Sequence, residues 1–333
     1  MSLPAIRAVR ARFPDAELVV LSKPAVAALY ESESCIDRVI PLPGRAGARD
    51  WGAKWRAVKR LRREHFDLAV LLPNSFESAA VVRLAGVKRV VGYNRDGRGW
   101  LLHSAIPVPQ PGEIPQHEVF YYLELLRRAG LADALPEMPE MRLDDIEKAR
   151  RNGRELFGLL EVKLPVVGIS PGAAYGTAKR WLPERFAEAA KEMAAQLGGS
   201  IAVFGSPAEK DLCEQVAQAC GGRNFAGTTA LRAFIDMTAA CSLFLTNDSG
   251  AMHVAAALGV PSVTVFGPTN EFATGPAGPL ARIVREPVEC APCMKRECPI
   301  NSPVVHPCMT NVTAARVVSV ARELLETGPD VHK

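Results

Sequence analysis

A lysine, an aspartate and two loops of small residues mark where this chain of 333 residues can do chemistry on a phosphorylated ligand. Pro171-Gly172-Ala173-Ala174-Tyr175-Gly176 follows an apolar run, and Lys179-Arg180-Trp181 comes next. A loop of small residues exposes backbone N–H groups to an anion. A lysine shortly beyond it reaches a diphosphate as a point charge, and Lys179 reads as an exposed loop side chain. The plainer alternative is an ordinary strand-to-helix loop with a solvated Lys-Arg pair, because glycine-bearing loops are weak signals alone. The second segment, Thr246-Asn247-Asp248-Ser249-Gly250-Ala251-Met252-His253, joins another apolar run to an alanine-rich helix. Asp248 or Ser249 can cap that helix. Its start carries partial positive charge and free N–H donors. Gly250 lets a ligand approach closely, and His253 lies one turn in. The competing view is a capped structural helix with a satisfied histidine. Two such loops, each after a strand, make that view harder to hold for both.

Weaker segments share the character. Gly205 and Ser206, in Phe204-Gly205-Ser206-Pro207, can face a base or ribose, with Glu209 a candidate for ribose hydroxyls. Residues 224–231 and the turn Phe266-Gly267-Pro268-Thr269 are similar. No Walker motif, HExxH or GxGxxG fingerprint occurs, which weighs against kinase, zinc-hydrolase and dehydrogenase chemistry.

Loops of this kind need strands to hold them, and the sequence supplies these in alternation with helices. In the first half, strands are expected at 17–21, 38–41, 68–72 and 89–92, and helices at 26–32, 51–65, 78–85 and 117–129. In the second half, strands are expected at 166–170, 200–204, 243–246 and 262–266, and helices at 183–197, 209–219, 231–240, 251–258 and 313–326. Leu3, Ile6, Val9 and Phe13 recur at helical spacing, which predicts a core-facing first helix. Alternation of this kind predicts an α/β fold with parallel sheets covered on both faces. Pro136 and Pro139 interrupt the pattern, so the expected division is 1-150 and 164-326, with a linker near 140–163 that contains a helix. Two Rossmann-like halves place a ligand at the carboxyl ends of their strands, in the crevice between domains.

Hydrophobic residues at 48% and charged residues at 23% fit a soluble globular chain. No apolar run is long enough to cross a bilayer, and the start has no secretory h-region. The net charge of +4 sits wholly in residues 1–150, with 23 Lys and Arg against 19 Asp and Glu, leaving 17 of each afterwards. That excess is too small for a nucleic-acid binder and suits an anionic substrate or membrane surface. The helix at 51–65 concentrates it in Lys54, Arg56, Lys59, Arg60, Arg62 and Arg63, with Trp51 and Trp55 one turn apart. It is either a solvated face or a peripheral contact with anionic lipid or a phosphorylated acceptor. Of eight cysteines, Cys35, Cys213, Cys220 and Cys241 are scattered. Cys290, Cys293, Cys298 and Cys308 are clustered, with His306 nearby. Four thiolates at such spacing can bind a structural zinc. The spacing departs from paired C-x2-C knuckles, and Pro292, Pro299, Pro303 and Pro307 equally suit a rigid irregular loop with free or redox-active thiols.

PGAAYGTAKRWLPERFAEAA, VFGSP, NFAGTTAL, LTNDSGAMHVAAALGVP and VFGPT occur in the order seen in glycosyltransferase family 9, which the chain resembles over nearly its whole length. The likeness is to the ADP-heptose–lipopolysaccharide heptosyltransferases, the type II branch in particular. LLPNSF and the Gly92-Tyr93-Asn94-Arg95 loop are similar to the same family. The resemblance implies the GT-B fold and an inverting, metal-independent transfer of L-glycero-D-manno-heptose from ADP-heptose to the lipopolysaccharide inner core, with no cofactor. It places Lys179 at the diphosphate or heptose and Asp248 at the donor sugar. Ser249, Gly250 and the helix start hold the phosphates, and His253 supports that loop. It puts Asn74, Ser75 and Arg95 on the acceptor side. A related branch has hydroxyl residues where this chain has Ala173 and Ala174. The implied partners are ADP-heptose and a lipid A–Kdo acceptor, at the cytoplasmic face of the inner membrane. A related transferase for another heptose or acceptor position, or a nucleotide-sugar-binding chain without turnover, is the alternative.

The resemblance also implies a strand and a Gly-Asp loop with the catalytic base directly before Met1-Ser2-Leu3-Pro4. The expectation is therefore a chain lacking its first strand, with Met1 internal and the base aspartate upstream. Such a chain would bind donor and transfer slowly. Asp96 is a substitute that nothing in the spacing favours.

Overall fold

The computed structural model describes residues 1–42, 51–300 and 306–327. Pro303 and the side chain of Trp51 lie outside the described residues. The chain divides into two compact units, Met1–Pro139 and Glu140–Lys333.

The first unit runs α1 (Leu3–Arg12), β1 (Val19–Ser22), β2 (Arg38–Pro41), α2 (Trp51–Glu64), β3 (Leu68–Leu71), α3 (Phe76–Leu84), β4 (Arg89–Tyr93), β5 (Ser104–Ile106) and α4 (Glu118–Arg128). The short helix expected at 26–32 is a 3-10 helix, Pro24–Leu29, entered through a proline. All strand pairs are parallel, in two separate sheets: β1 with β2, and β3-β4-β5. Among the described residues β1 pairs only with β2, and β3 only with β4 at its one bonded edge. Leu21 and Phe66 join the two sheets, since both pack against the cluster under β3 and the cluster under β2.

The second unit runs α5 (Ile146–Leu159), β6 (Val166–Ser170), α6 (Pro183–Leu197), β7 (Ser200–Val203), α7 (Lys210–Cys220), β8 (Arg223–Asn224), α8 (Leu231–Ala239), β9 (Leu243–Asn247), α9 (Gly250–Ala257), β10 (Ser262–Val265), α10 (Glu271–Thr274), β11 (Ala281–Val284), α11 (Pro307–Thr310) and α12 (Ala314–Thr327). Its six strands form one parallel sheet in the order β11-β10-β9-β6-β7-β8. The chain winds outward from β6 through β7 to β8, then returns to β9 and winds the other way. The reversal makes the β6/β9 border the switch point of the sheet, where a crevice opens at the strand ends. β6 and β9 are buried at every position, as the unbroken apolar run of a two-face-covered strand requires. Gly168 permits their close approach, because a Cβ there would collide with Phe244 of β9 at 2.6 Å.

Helix limits follow local rules. α6 opens on Pro183, whose missing N–H would be unpaired anyway. It ends on Gly198 in the left-handed region, at φ 67°. The helix expected inside a linker, α5, lies in the second unit and packs on α8. Its Gly153 sits so close to the Asp236 carbonyl that any side chain would clash.

Candidate functional site

The register sets Ser170 of β6 beside Thr246 of β9, so the loops that leave these strands start side by side. Asn247, fully buried, joins them. Its Nδ2 donates to the Pro171 carbonyl at 2.7 Å, and its Oδ1 accepts from the Trp181 N–H at 2.9 Å. One amide therefore holds both ends of the 171–181 loop. Trp181 anchors the far end in the core, with its indole N–H donating to Val312 O at 3.0 Å.

Inside this frame Lys179 meets Asp248. Lys179 Nζ donates to Asp248 Oδ2 at 2.5 Å, and the Thr269 hydroxyl donates to the same oxygen at 2.6 Å. All three residues are buried, Lys179 at 9% exposure. The lysine expected in solvent is instead neutralised by a carboxylate, which makes its burial tolerable. Tyr175 covers it, with Lys179 Nζ 4.8 Å and the Arg296 guanidinium 5.1 Å from the ring centroid. The 294–296 segment ties these loops together. Met294 O accepts from Tyr175 Oη at 2.9 Å, Arg296 O accepts from the Ala178 N–H at 3.0 Å, and the Met294 N–H donates to Pro268 O at 2.8 Å. The turn carrying Thr269 and the loop carrying Lys179 are thus held by one strap.

Directly after Asp248, Ser249 stands at the N-cap of α9, and its side chain makes no capping hydrogen bond. The Ser249 hydroxyl lies 3.4 Å from Thr246 Oγ1 instead. A Cβ on Gly250 would meet nothing within 4 Å. Helix N–H donors with space before them, beside a buried lysine, form an anion-receiving corner. His253 is half-buried on the first turn of this helix.

Other residues singled out in the sequence have local duties. Glu209 Oε2 accepts from the Ser206 N–H at 2.9 Å and from its hydroxyl at 2.7 Å, a capping box before α7. The rest of that carboxylate lies over Gly172, where a Cβ would clash with it. Gly205 fits against the Cys213 thiol, 2.6 Å from a built Cβ. Ala173 is buried and Ala174 exposed, so the 171–176 loop offers backbone rather than hydroxyl groups.

In the first unit, Asn74 and Ser75 follow β3, but their side chains are engaged internally. Asn74 Nδ2 donates to Tyr121 Oη at 2.9 Å and its Oδ1 accepts from Arg98 at 3.2 Å. Ser75 Oγ caps α3 by accepting from the Ser78 N–H. Arg95 is exposed and stands 3.8 Å from Asp96. The arginine that organises this region is Arg98, which no motif in the sequence marks. It is fully buried and donates to the carbonyls of Tyr93, Pro73 and Ser75 as well as to Asn74.

The family model for glycosyltransferase family 9 (heptosyltransferase) matches residues 54–303. The chain belongs to this family. Lipopolysaccharide heptosyltransferase 2 of Salmonella typhimurium is 32% identical over 297 residues, covering 86% of this chain and 84% of that protein. The Escherichia coli protein of the same name matches equally. The structure of the E. coli ADP-heptose lipopolysaccharide heptosyltransferase II superposes with a TM-score of 0.79 at 28% identity, over 98% of this chain and 94% of that one. A family 9 glycosyl transferase from Veillonella parvula superposes at 0.81 with 20% identity, over 98% of this chain and 92% of its own, and supports the fold alone.

The thiols of this family 9 chain are free. Cys308 is buried and faces Gly267, 3.0 Å from a built Cβ. Burial pushes its thiol up to about 11, and Cys290, Cys293 and Cys298 add to the shift. The four therefore share a neighbourhood. Among the described residues no group of three or more His, Cys, Asp or Glu side chains is arranged to hold a metal ion, so a zinc at these cysteines gains no support from geometry. Among the described residues, too, no helix is long and apolar enough to cross a membrane.

Proposed function

We propose that this glycosyltransferase moves L-glycero-D-manno-heptose from ADP-heptose to the lipopolysaccharide inner core, inverting the anomeric centre without a catalytic metal. The observation that carries the reading is the Lys179–Asp248–Thr269 cluster beside the uncapped start of α9, at the switch point of the sheet. Glycosyl transfer builds negative charge on the departing diphosphate and positive charge on the sugar. Lys179 and the N–H groups of α9 supply the first with a preorganised counter-charge. Asp248 supplies the second. Before donor arrives, the two charges hold each other in place. A diphosphate entering the corner shares Lys179 and leaves the carboxylate to face the sugar. Ser249 and Gly250 admit the phosphates, His253 backs their helix, and the backbone of Ala173 and Ala174 lines the near wall. Gly205, Ser206 and Glu209 border the nucleoside side, the carboxylate acting through its cap.

On the acceptor side, Asn74 and Ser75 shape the loop after β3, and the exposed Arg95, paired loosely with Asp96, offers its guanidinium to an anionic inner-core sugar. The acceptor is a lipid A–Kdo molecule, met at the cytoplasmic face of the inner membrane through peripheral contact of the basic helix α2.

Calorimetry with ADP, ADP-heptose and UDP-glucose, followed by transfer to lipid A–Kdo bearing one heptose, tests the reading. Tight ADP-heptose binding with heptose added to the acceptor is expected. Preference for UDP-glucose would overturn it, and the linkage of the product distinguishes this transferase from a relative acting at another position.

A further inference from the structure

Three large aromatic side chains of the first unit stand in solvent with no work in the core. Trp100 is 74% exposed, Trp55 50% and Phe76 45%. The structure gathers them at one end. Phe76 and Trp100 have ring centroids 6.0 Å apart. α2 and α3 lie side by side and run the same way. Lys54 Nζ is 3.2 Å from Glu77 Oε2 at their first turns, and Arg62 donates to Leu84 O at 2.7 Å near their last turns. Trp55, in the first turns of α2, therefore sits at the same end as Phe76, the first residue of α3. That end is the one where β3 and β4 release their loops, the acceptor-side rim.

The same helix presents charge of one sign. Arg56, Lys59, Arg60, Arg62 and Arg63 are exposed along α2. Its single acid, Glu64, is turned to Arg38, with 2.7 Å between Oε2 and Nη2. Glu77 beside it is answered by Lys54, and Asp96 near Trp100 by Arg95. A net positive face bordered by exposed indole and phenyl rings matches the interface of an anionic bilayer. Tryptophan prefers the headgroup level there and arginine and lysine are drawn to the surface potential.

We propose that this rim is a membrane-seating surface: Trp55, Phe76 and Trp100 enter the interface of an anionic bilayer while the basic face of α2 lies on its headgroups. It deepens the proposed activity by naming the residues that bring the first unit to a lipid-anchored acceptor. The seating itself needs neither donor nor acceptor, so its failure and the failure of the transfer reading are separate results.

The test is sedimentation of the full chain with vesicles of phosphatidylethanolamine and phosphatidylglycerol, and with vesicles of phosphatidylcholine alone. Wild type should bind the first and leave the second. The double variant Phe76→Ser/Trp100→Ser should melt as wild type does, because both side chains are exposed, and lose roughly tenfold in partition. Arg60→Glu/Arg63→Glu should weaken binding and flatten its salt dependence. Brominated phosphatidylglycerol should quench wild-type tryptophan fluorescence, and less of it in Trp100→Phe. Absence of wild-type binding to the anionic vesicles overturns the proposal, and points the rim to an acidic protein partner. Equal binding and quenching by wild type and the Phe76→Ser/Trp100→Ser variant overturns it as well.

Discussion

The two units are held together by different means. In the second, β6 and β9 are buried at every residue within one six-stranded sheet, and the core runs without interruption from Trp181 through Phe186 to Leu324. In the first, β1 is half-buried throughout, the sheet is in two pieces, and arginines do much of the joining. Arg98 gathers three backbone carbonyls and an amide; Arg10 binds the carbonyls of Cys35 and Ala16 and the carboxylate of Asp37; Arg38 bridges Glu17 and Glu64. Apolar burial tolerates little displacement, because packed interiors are near crystal density. Guanidinium ties span gaps that side chains leave. The contrast suits the roles proposed above, donor binding by fixed charges in the second unit and acceptor contact by loops in the first.

The largest effect should come from putting a defect where the second unit is least forgiving. Lys179→Met leaves Asp248 buried without its counter-charge, which costs about 3–5 kcal/mol. Donor affinity should fall as well, by at least about tenfold for a lost charge-assisted phosphate contact. Adding Asp248→Leu should restore much of the melting temperature and none of the donor binding. Recovery of both would mean that the pair is structural only.

Arg98→Met puts the matching defect in the first unit. Charge-assisted hydrogen bonds to carbonyls contribute about 1.5–3 kcal/mol each to stability. The variant should melt earlier and use acceptor poorly, while calorimetry finds nucleotide affinity unchanged. A fall in donor affinity equal to that of Lys179→Met would dissolve the contrast between the units.

Glu124 tests the arginine ties by pH. It is buried, and hydrogen bonds from Arg127 and then Arg128 hold its carboxyl down to about 2, against an ordinary value of 4.5. A lowered carboxyl contributes stability that is complete above the unfolded value and lost as pH falls through the folded one. The first unit should therefore lose about 1–3 kcal/mol between about pH 4.5 and about pH 2, discounted because Arg127 is half in water. Glu124→Gln should remove that slope. An unchanged acid melting curve would deny the carboxylate its role.

The smallest shift in stability is expected from Gly250→Ala. The added methyl meets no protein atom, and alanine in a helix is favoured over glycine by roughly 0.5–1 kcal/mol. Melting should rise slightly while ADP affinity drops, since the methyl occupies the approach to the α9 N–H groups. A rise in both would show that ligand enters elsewhere.

Much of the architecture was legible because the strands of the second unit are unbroken apolar runs and its helices start and stop on proline and glycine. β5, β8 and β11 were not, being three, two and four residues long at sheet edges with no periodic pattern to detect. The 171–176 and 246–250 loops were legible from composition after a strand. The burial of Lys179 was not, since its partner lies 69 residues on and Thr269 a further 21. Arg98 was hidden for the same reason: its acceptors come mostly from the loop after β3, while Arg95 in the same turn faces water. The duty of Glu209 is readable in the Ser206-Pro207-Ala208-Glu209 spacing, which is a capping-box pattern, although its place after a strand-end loop suggests a ligand role.

Asn247 has a consequence for anyone who recombines such enzymes. Its amide reads the carbonyl of Pro171 and the N–H of Trp181 at once, so the loop between them is keyed to a residue at the tip of another strand. A chimera that imports residues 171–181 from a relative, to change which nucleotide sugar is accepted, must import the matching residue at 247 as well. Otherwise the graft arrives with both of its hinges unlatched.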